Sequence, residues 1–170
     1  MRDRRFVAVH RGGPLELAQH RLLAVWAAAC AEHVLPLFEE CSSDDRPRQA
    51  IETAKAWARG EVPVGAAQKA AVSAHAAARE MTSKSAIAAA RAAGHAVATA
   101  HVADHCVGAP LYALKGIEAR GGSVDAERAW QLAQLPDELR ELVVSAMGRG
   151  FENWPTAKKV GRAVLCAPKK

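Results

Sequence analysis

Two histidines four residues apart are the first candidates for chemistry in this chain. His101 and His105 would project from the same face of one helix, and a pair at this spacing can chelate a metal ion. In metalloproteases the same spacing also carries a glutamate beside the first histidine, where this chain has Val102. The pair therefore lacks the protease motif, and a metal-dependent enzyme on this face is the weakest of three functional alternatives.

A metal ion on this pair would need at least one further ligand. The sequence offers Asp104, His75 and Cys30 for that role, but spacing alone does not bring them together. Small and apolar residues such as Ile87 and Gly94 share the helix face, which favours histidines packed between helices. We expect no bound metal and no cofactor, and retain five candidates for binding a partner: His75, His101, Asp104, His105 and Trp154.

Cys30 and His33 lie on adjacent turns of a predicted helix, as a nucleophile and its base would. No glycine turn or oxyanion-binding segment flanks them, and a free cysteine is commonly buried as a small apolar residue. We therefore predict a buried thiol here and no catalytic residues in the chain.

Basic residues cluster near both ends of the sequence and could contact phosphates in a salt-dependent manner. No helix-turn-helix pairing, glycine-rich phosphate loop or aromatic stacking platform accompanies them, so solvated tails are favoured over a nucleic-acid interface. Trp154, beside Pro155 in the C-terminal cluster, is a candidate for a partner surface. The clustered residues are Arg2, Arg4, Arg5, Arg11, Lys158, Lys159, Arg162, Lys169 and Lys170.

The element that must position most of these residues is an alanine-rich segment, Ser83–Cys106. Nine of the sixteen residues from 85 to 100 are alanine, which predicts one helix about 34 Å long. Either Thr82 or Ser83 can cap its first turn, and Gly108 and Pro110 suit a left-handed cap followed by a stop. Two stripes lie along this helix at 100° per residue: Lys84, Arg91, His95 and Thr99 on one, and Ile87, Ala90, Gly94, Ala98, His101 and His105 on the other.

Other helices are indicated by apolar periodicity and by proline and glycine at their ends. The predicted starts are near Pro14, Pro47, Val64, Pro110, Ser123 and Pro136, with Pro36 breaking the first helix near Leu35 and Gly60 ending the second. We predict an all-α, single-domain bundle of about six or seven helices around the long alanine-rich central helix. An extended N-terminal arm would occupy residues 1–13, the helical domain 14–150 and a basic tail 151–170.

Composition limits the class of protein. The chain has 170 residues, of which 50% are hydrophobic but only 5% aromatic, so its core must be built largely from Ala, Leu and Val. A net charge of +5 is compatible with an acidic partner. Four cysteines without metal or disulfide spacing suggest reduced thiols. We expect no signal peptide and no membrane span, and hence a cytoplasmic protein.

Three segments resemble a known family. They are CAEHVLPLFEE from Cys30, DDRPRQAIETAKAWARGE from Asp44 and AAGHAVATAHVADH from Ala92. In this order and at these spacings they are similar to the immunity-five-like group of small helical immunity proteins from bacterial polymorphic toxin systems. The resemblance covers roughly Leu15 to Val144. The middle segment is the most specific, with Asp45-Arg46-Pro47-Arg48, Ala50-Ile51, Ala56-Trp57 and Gly60-Glu61.

This resemblance implies a non-enzymatic cytoplasmic protein that binds a cognate toxin and blocks it. It supplies no catalytic residues. Inhibitors of nucleases are commonly acidic, whereas this chain carries a charge of +5, so the resemblance implies a toxin that is acidic or is not a nuclease. The alternatives are a helical protein that binds nucleic acid through its basic termini, and the metal-dependent enzyme on His101 and His105.

Overall fold

The structure, a computed structural model, describes residues 3–150. Within that range it contains helices and no strand, which confirms the predicted all-α class and helix number. Seven longer helices and the one-turn α2 are present: α1 Leu17–Val34, α2 Pro36–Glu39, α3 Arg46–Arg59, α4 Val64–Glu80, α5 Lys84–Ala98, α6 Gly108–Ala119, α7 Val124–Ala133 and α8 Asp137–Gly150.

Helix α5 is the centre of the unit formed by residues up to Leu135. It packs against α1, α2, α3, α4 and α6, and most of its residues are buried. Its alanines allow this because side chains of one carbon let neighbouring helices approach closely without a loss of helix propensity. The predicted central position of the alanine-rich helix is confirmed.

The predicted length of that helix is wrong, because α5 ends at Ala98 and does not reach Cys106. The cause is a contact with a distant helix: the Nε2 atom of His20 donates a hydrogen bond of 2.6 Å to the carbonyl of Thr99. A continuing helix would have offered this carbonyl to the amide of residue 103. The chain then becomes extended at Val102 (φ −147°).

A 3-10 turn, Ala103–Val107, follows this extended residue. His105 lies in the turn and His101 precedes it, so the two histidines do not share a helix. Gly108 also differs from expectation, because its φ of −69° is helical and it begins α6 without forming a left-handed cap.

Other helix ends follow the predicted signals. Pro36 separates α1 from α2, and Gly60 ends α3 with a left-handed φ of 82° that its lack of a side chain allows. The hydroxyl of Ser83 accepts a bond from the third amide of α5, and Ser123 caps α7 in the same way. Local sequence therefore determines these ends.

The N-terminal segment, which was expected to be extended, forms two 3-10 turns at Arg4–Phe6 and Val9–Arg11. A single bridge pairs Ala8 with Leu15, and both side chains are buried. Burial of these apolar residues explains why the segment folds back on the chain. The proposed tail, 151–170, lies outside the described residues, so that boundary stays a prediction.

The stretch Leu17–Glu39, which contains α1 and α2, is long and apolar enough by length and composition to cross a membrane. In this fold 61% of its most apolar 18-residue window is buried inside the protein, which fits a core helix of the bundle. Helix α8 belongs to a second compact unit that begins at Pro136, the predicted start, and it has Asp137 and Glu138 in its first turn.

Candidate functional site

Five rings form a connected cluster near the C-terminal end of α5, which we call the histidine cluster. His95 is at its centre, with ring centroids 5.3 Å from His75, 5.6 Å from His105 and 5.1 Å from Tyr112. His101 extends the row, 5.2 Å from His105. The cluster thus joins α4, α5, α6 and the intervening turn, and it unites two of the predicted binding histidines with a third, His75.

Two glycines make room for these rings. A Cβ atom at Gly94 would lie 2.6 Å from the tip of the His75 ring, and one at Gly108 would lie 2.4 Å from the Nδ1 atom of His95. Both distances are shorter than any ordinary van der Waals contact. The missing side chains are therefore needed for the close packing of the cluster.

The environment of the cluster favours neutral imidazoles. Burial, together with His75, His105 and Arg91, lowers the pKa of His95 to about 4. Burial is also the main cause that lowers the pKa of His75, followed by Arg91. Because these two rings are uncharged at neutral pH, they pack as aromatic groups.

His101 and His105, the pair considered as metal ligands, do not lie on one helix face in the structure. His101 and His105 remain neighbours through their rings, while Asp104 is half-buried in the 3-10 turn between them. Within residues 3–150, no group of three or more His, Cys, Asp or Glu side chains is placed to hold a metal ion. Trp154, the remaining candidate, lies outside the described residues.

The other catalytic candidate is the pair Cys30 and His33, and the two side chains differ in burial and in their contacts. Cys30 is fully buried, and its burial raises the pKa of the thiol well above the usual range, with Glu127 as a further cause. His33 instead contacts Glu127, with 2.8 Å between Nδ1 and Oε2, and stacks on Trp130 at 3.7 Å between ring centroids. A buried neutral thiol is a poor nucleophile.

An apolar pocket of about 200 Å³ lies at the His101 end of the cluster. Phe6, Trp57 and Ala103 contribute to its wall, and Leu17 and Val64 leave 53% and 38% of their surfaces exposed beside it. The pocket combines the folded N-terminal segment with α1, α3 and the turn after α5.

A second concavity, open to solvent and about 470 Å³ in volume, lies between α5 and α6 on the Tyr112 side of the cluster. We call it the basic groove. Its lining residues are Lys84, Ile87, Ala88, Arg91, Tyr112, Lys115, Glu118 and Ala119.

The aromatic ring of Tyr112 organises the cations of the basic groove. The guanidinium of Arg91 lies 5.8 Å from the ring centroid, and the ammonium of Lys115 lies 5.0 Å from it. Arg91 also donates a long hydrogen bond of 3.4 Å to the tyrosine hydroxyl. The result is a positively charged surface with an aromatic base.

Sequence reasoning missed this groove, although part of its signal was visible. It placed Lys84 and Arg91 on one stripe of the alanine-rich helix, in register with His95. It did not connect that stripe with Tyr112 and Lys115, which are three residues apart and share a face of the next helix.

Comparison with known protein families gives a match to most of the chain. A family model described as Imm-5 like putative immunity protein covers residues 13–138, well over half of the chain. No curated protein and no solved structure matches the sequence.

Proposed function

The chain belongs to the family of Imm-5 like putative immunity proteins, as the sequence resemblance indicated, and we propose that it binds a cognate toxin and neutralises it. The observation that carries this proposal is the family match across residues 13–138, which includes all of helices α1 to α7. An immunity-type role follows from the family. What we propose beyond that role is that this chain binds a cognate toxin and neutralises its activity.

Neutralisation would occur by occlusion and without catalysis. In support of this, the imidazole of His95 is neutral and packed against other rings, and the Cys30 thiol is buried. Two concave surfaces, the apolar pocket and the basic groove, are available to a protein partner. We propose that the protein acts in the cytoplasm, where an immunity protein would meet a toxin produced by or delivered to the same cell.

A growth rescue tests this function. The toxin-like protein encoded by the neighbouring gene is expressed in a bacterial host with and without this chain, and the two proteins are then co-purified. Restored growth together with a stable complex is the expected result. Continued growth arrest and no complex would overturn the proposed pairing.

A nucleic-acid assay separates this function from its main alternative. Proteins that use basic termini to bind phosphates lose affinity steeply as salt rises. We expect the chain to show no such binding to a 20-base-pair DNA duplex or a matched RNA at physiological salt. Salt-dependent binding to either, without growth rescue, would favour the nucleic-acid alternative.

A further inference from the structure

We propose that the basic groove is the toxin-binding surface and that it receives an acidic segment of the toxin. This inference rests on the proposed immunity function and deepens it by assigning the contact face and the chemistry of the partner. It depends on the charges, the shape and the aromatic content of the groove.

The lining of the groove contains more basic than acidic residues. Lys84 is exposed and Arg91 is half-buried, and neither makes an ion pair with a carboxylate among residues 3–150. Glu118 is the single acidic residue in the groove lining. Some basic residues elsewhere on the described surface do lie within 4 Å of a carboxylate: Arg46, Arg48, Lys55, Arg59 and Arg120.

The cations of the groove repel one another. The pKa of Lys115 is lowered by burial first and by the charge of Arg91 second, while Glu118 offsets part of the effect. A carboxylate placed between these cations would relieve the repulsion and would interact with both of them. The groove can thus make a favourable electrostatic interaction with an acidic partner.

Shape and composition indicate a protein segment. Ile87, Ala88 and Ala119 provide apolar surface between the charged side chains, and Tyr112 provides an aromatic anchor. Tyrosine and arginine are, with tryptophan, enriched at energetically dominant positions of protein interfaces. A cavity of about 470 Å³ accommodates a few side chains, whereas a nucleic-acid backbone would need a longer row of cations.

The test reverses charge in the groove and measures both rescue and affinity. Lys84→Glu/Lys115→Glu is compared with Arg4→Glu/Lys69→Glu, which changes net charge equally at exposed positions outside the groove. With the neighbouring gene's toxin-like protein as titrant, we expect the groove variant to bind at least about 100-fold more weakly and to lose rescue. The control should stay within about threefold of the unmodified chain.

The unmodified chain distinguishes failure of the function from failure of the site. If it neither rescues growth nor binds, the immunity function fails. If it does both and the groove variant behaves like the control, the assignment of the groove is wrong. Loss of binding on Leu17→Glu, beside the apolar pocket, with the groove variant unaffected would place the toxin on the pocket instead.

Folding of the variants is monitored by circular dichroism and thermal melting. Should the double variant fail to fold, Lys84→Glu alone suffices because that side chain is exposed, and we expect it to weaken binding about tenfold.

Raising sodium chloride from about 50 to 300 mM should weaken binding by the unmodified chain more than binding by Lys84→Glu, since salt screens the groove charges. Equal salt dependence of the two proteins would contradict the proposal.

Discussion

The histidine cluster and the basic groove share Tyr112 but differ in every property that decides function. In the cluster the rings are close-packed, two glycines are needed to admit them, and the central imidazole is neutral. In the groove the neighbouring side chains are cationic; Lys84 is exposed, and Arg91 and Lys115 are half-buried. Tyr112 thus stacks on a histidine of the cluster and also contacts the cations of the groove.

The difference between the cluster and the groove separates residues that stabilise the fold from residues that are available to a partner. The residue types that first suggest chemistry, the histidines, are held by packing at the end of α5. The cations that line the groove are lysine and arginine side chains, none of which the sequence analysis selected as a binding candidate. Substitutions in the cluster should therefore change stability, and substitutions in the groove should change affinity.

Acid should produce the largest loss of stability, through the cluster. The pKa of His95 is about 4 in the folded protein and near 6.5 in the unfolded chain. As pH falls from about 6.5 to 4, the unfolded state binds the proton first, so up to about 3 kcal/mol of stability is lost in this window. The lowered pKa values of His20 and His75 act in the same direction.

Urea denaturation at pH 7.5, 5.5 and 4.5 measures this loss. His95→Phe keeps an aromatic ring against Tyr112 but cannot be protonated, so it should lose less stability than the unmodified chain over the same range. Equal losses in the two proteins would show that His95 is not the group responsible.

The substitution Gly108→Ala, which adds one carbon, should cause the next largest loss of stability. Its Cβ would lie 2.4 to 3.0 Å from the Nδ1, Cγ and Cβ atoms of His95, so Gly108→Ala should cost about 1–3 kcal/mol of unfolding free energy. Gly65→Ala in α4 is the matched control, since nothing lies within 4 Å of that position. There the better helix propensity of alanine should raise stability by up to about 1 kcal/mol.

Chemical denaturation of both glycine variants gives the comparison. Toxin affinity of Gly108→Ala should stay unchanged under conditions where the variant is folded. A Gly108→Ala protein as stable as Gly65→Ala would show that the cluster is not tightly packed.

Tyr112→Leu should be the substitution that affects both regions. It removes ring stacking on His95, worth about 0.5–1.5 kcal/mol beyond the buried area, and it removes the aromatic base of the groove. We expect a lower melting temperature and about tenfold weaker toxin binding. Tyr112→Phe keeps the stacking and loses the long bond from Arg91, so its changes should be smaller. A change in stability alone would remove Tyr112 from the proposed interface.

The smallest effect is expected at a paired surface charge on α3. Arg48 bonds to Glu39 and 55% of its side chain is exposed, so Arg48→Gln should cost at most about 1 kcal/mol and leave affinity unchanged. Thermal melting and calorimetry check both values. A large loss of toxin binding would move the interface from the groove to α3.

Much of the fold could be predicted from the sequence because local signals determine it. Pro36, Gly60 and Ser123 mark helix boundaries through backbone restrictions and capping that act within a few residues. The early end of α5 could not be predicted in this way, because the bond from His20 to Thr99 joins residues 79 positions apart.

The candidate site was predictable only in part. His101 and His105 stand out by spacing, but their shared helix does not exist, and their neighbours His95 and Tyr112 come from two different helices. The basic groove also needs the packing of α5 on α6, which periodicity along one helix does not reveal.

Zero-length crosslinking of the toxin complex shows whether the groove lysines contact acidic residues of the toxin. Carbodiimide joins a lysine amine to an aspartate or glutamate only where the two are in contact. We predict crosslinks, identified by mass spectrometry, from Lys84 or Lys115 to acidic residues of the toxin, with none from the exposed Lys69 of α4. Crosslinks from Lys69 in place of the groove lysines would contradict the account.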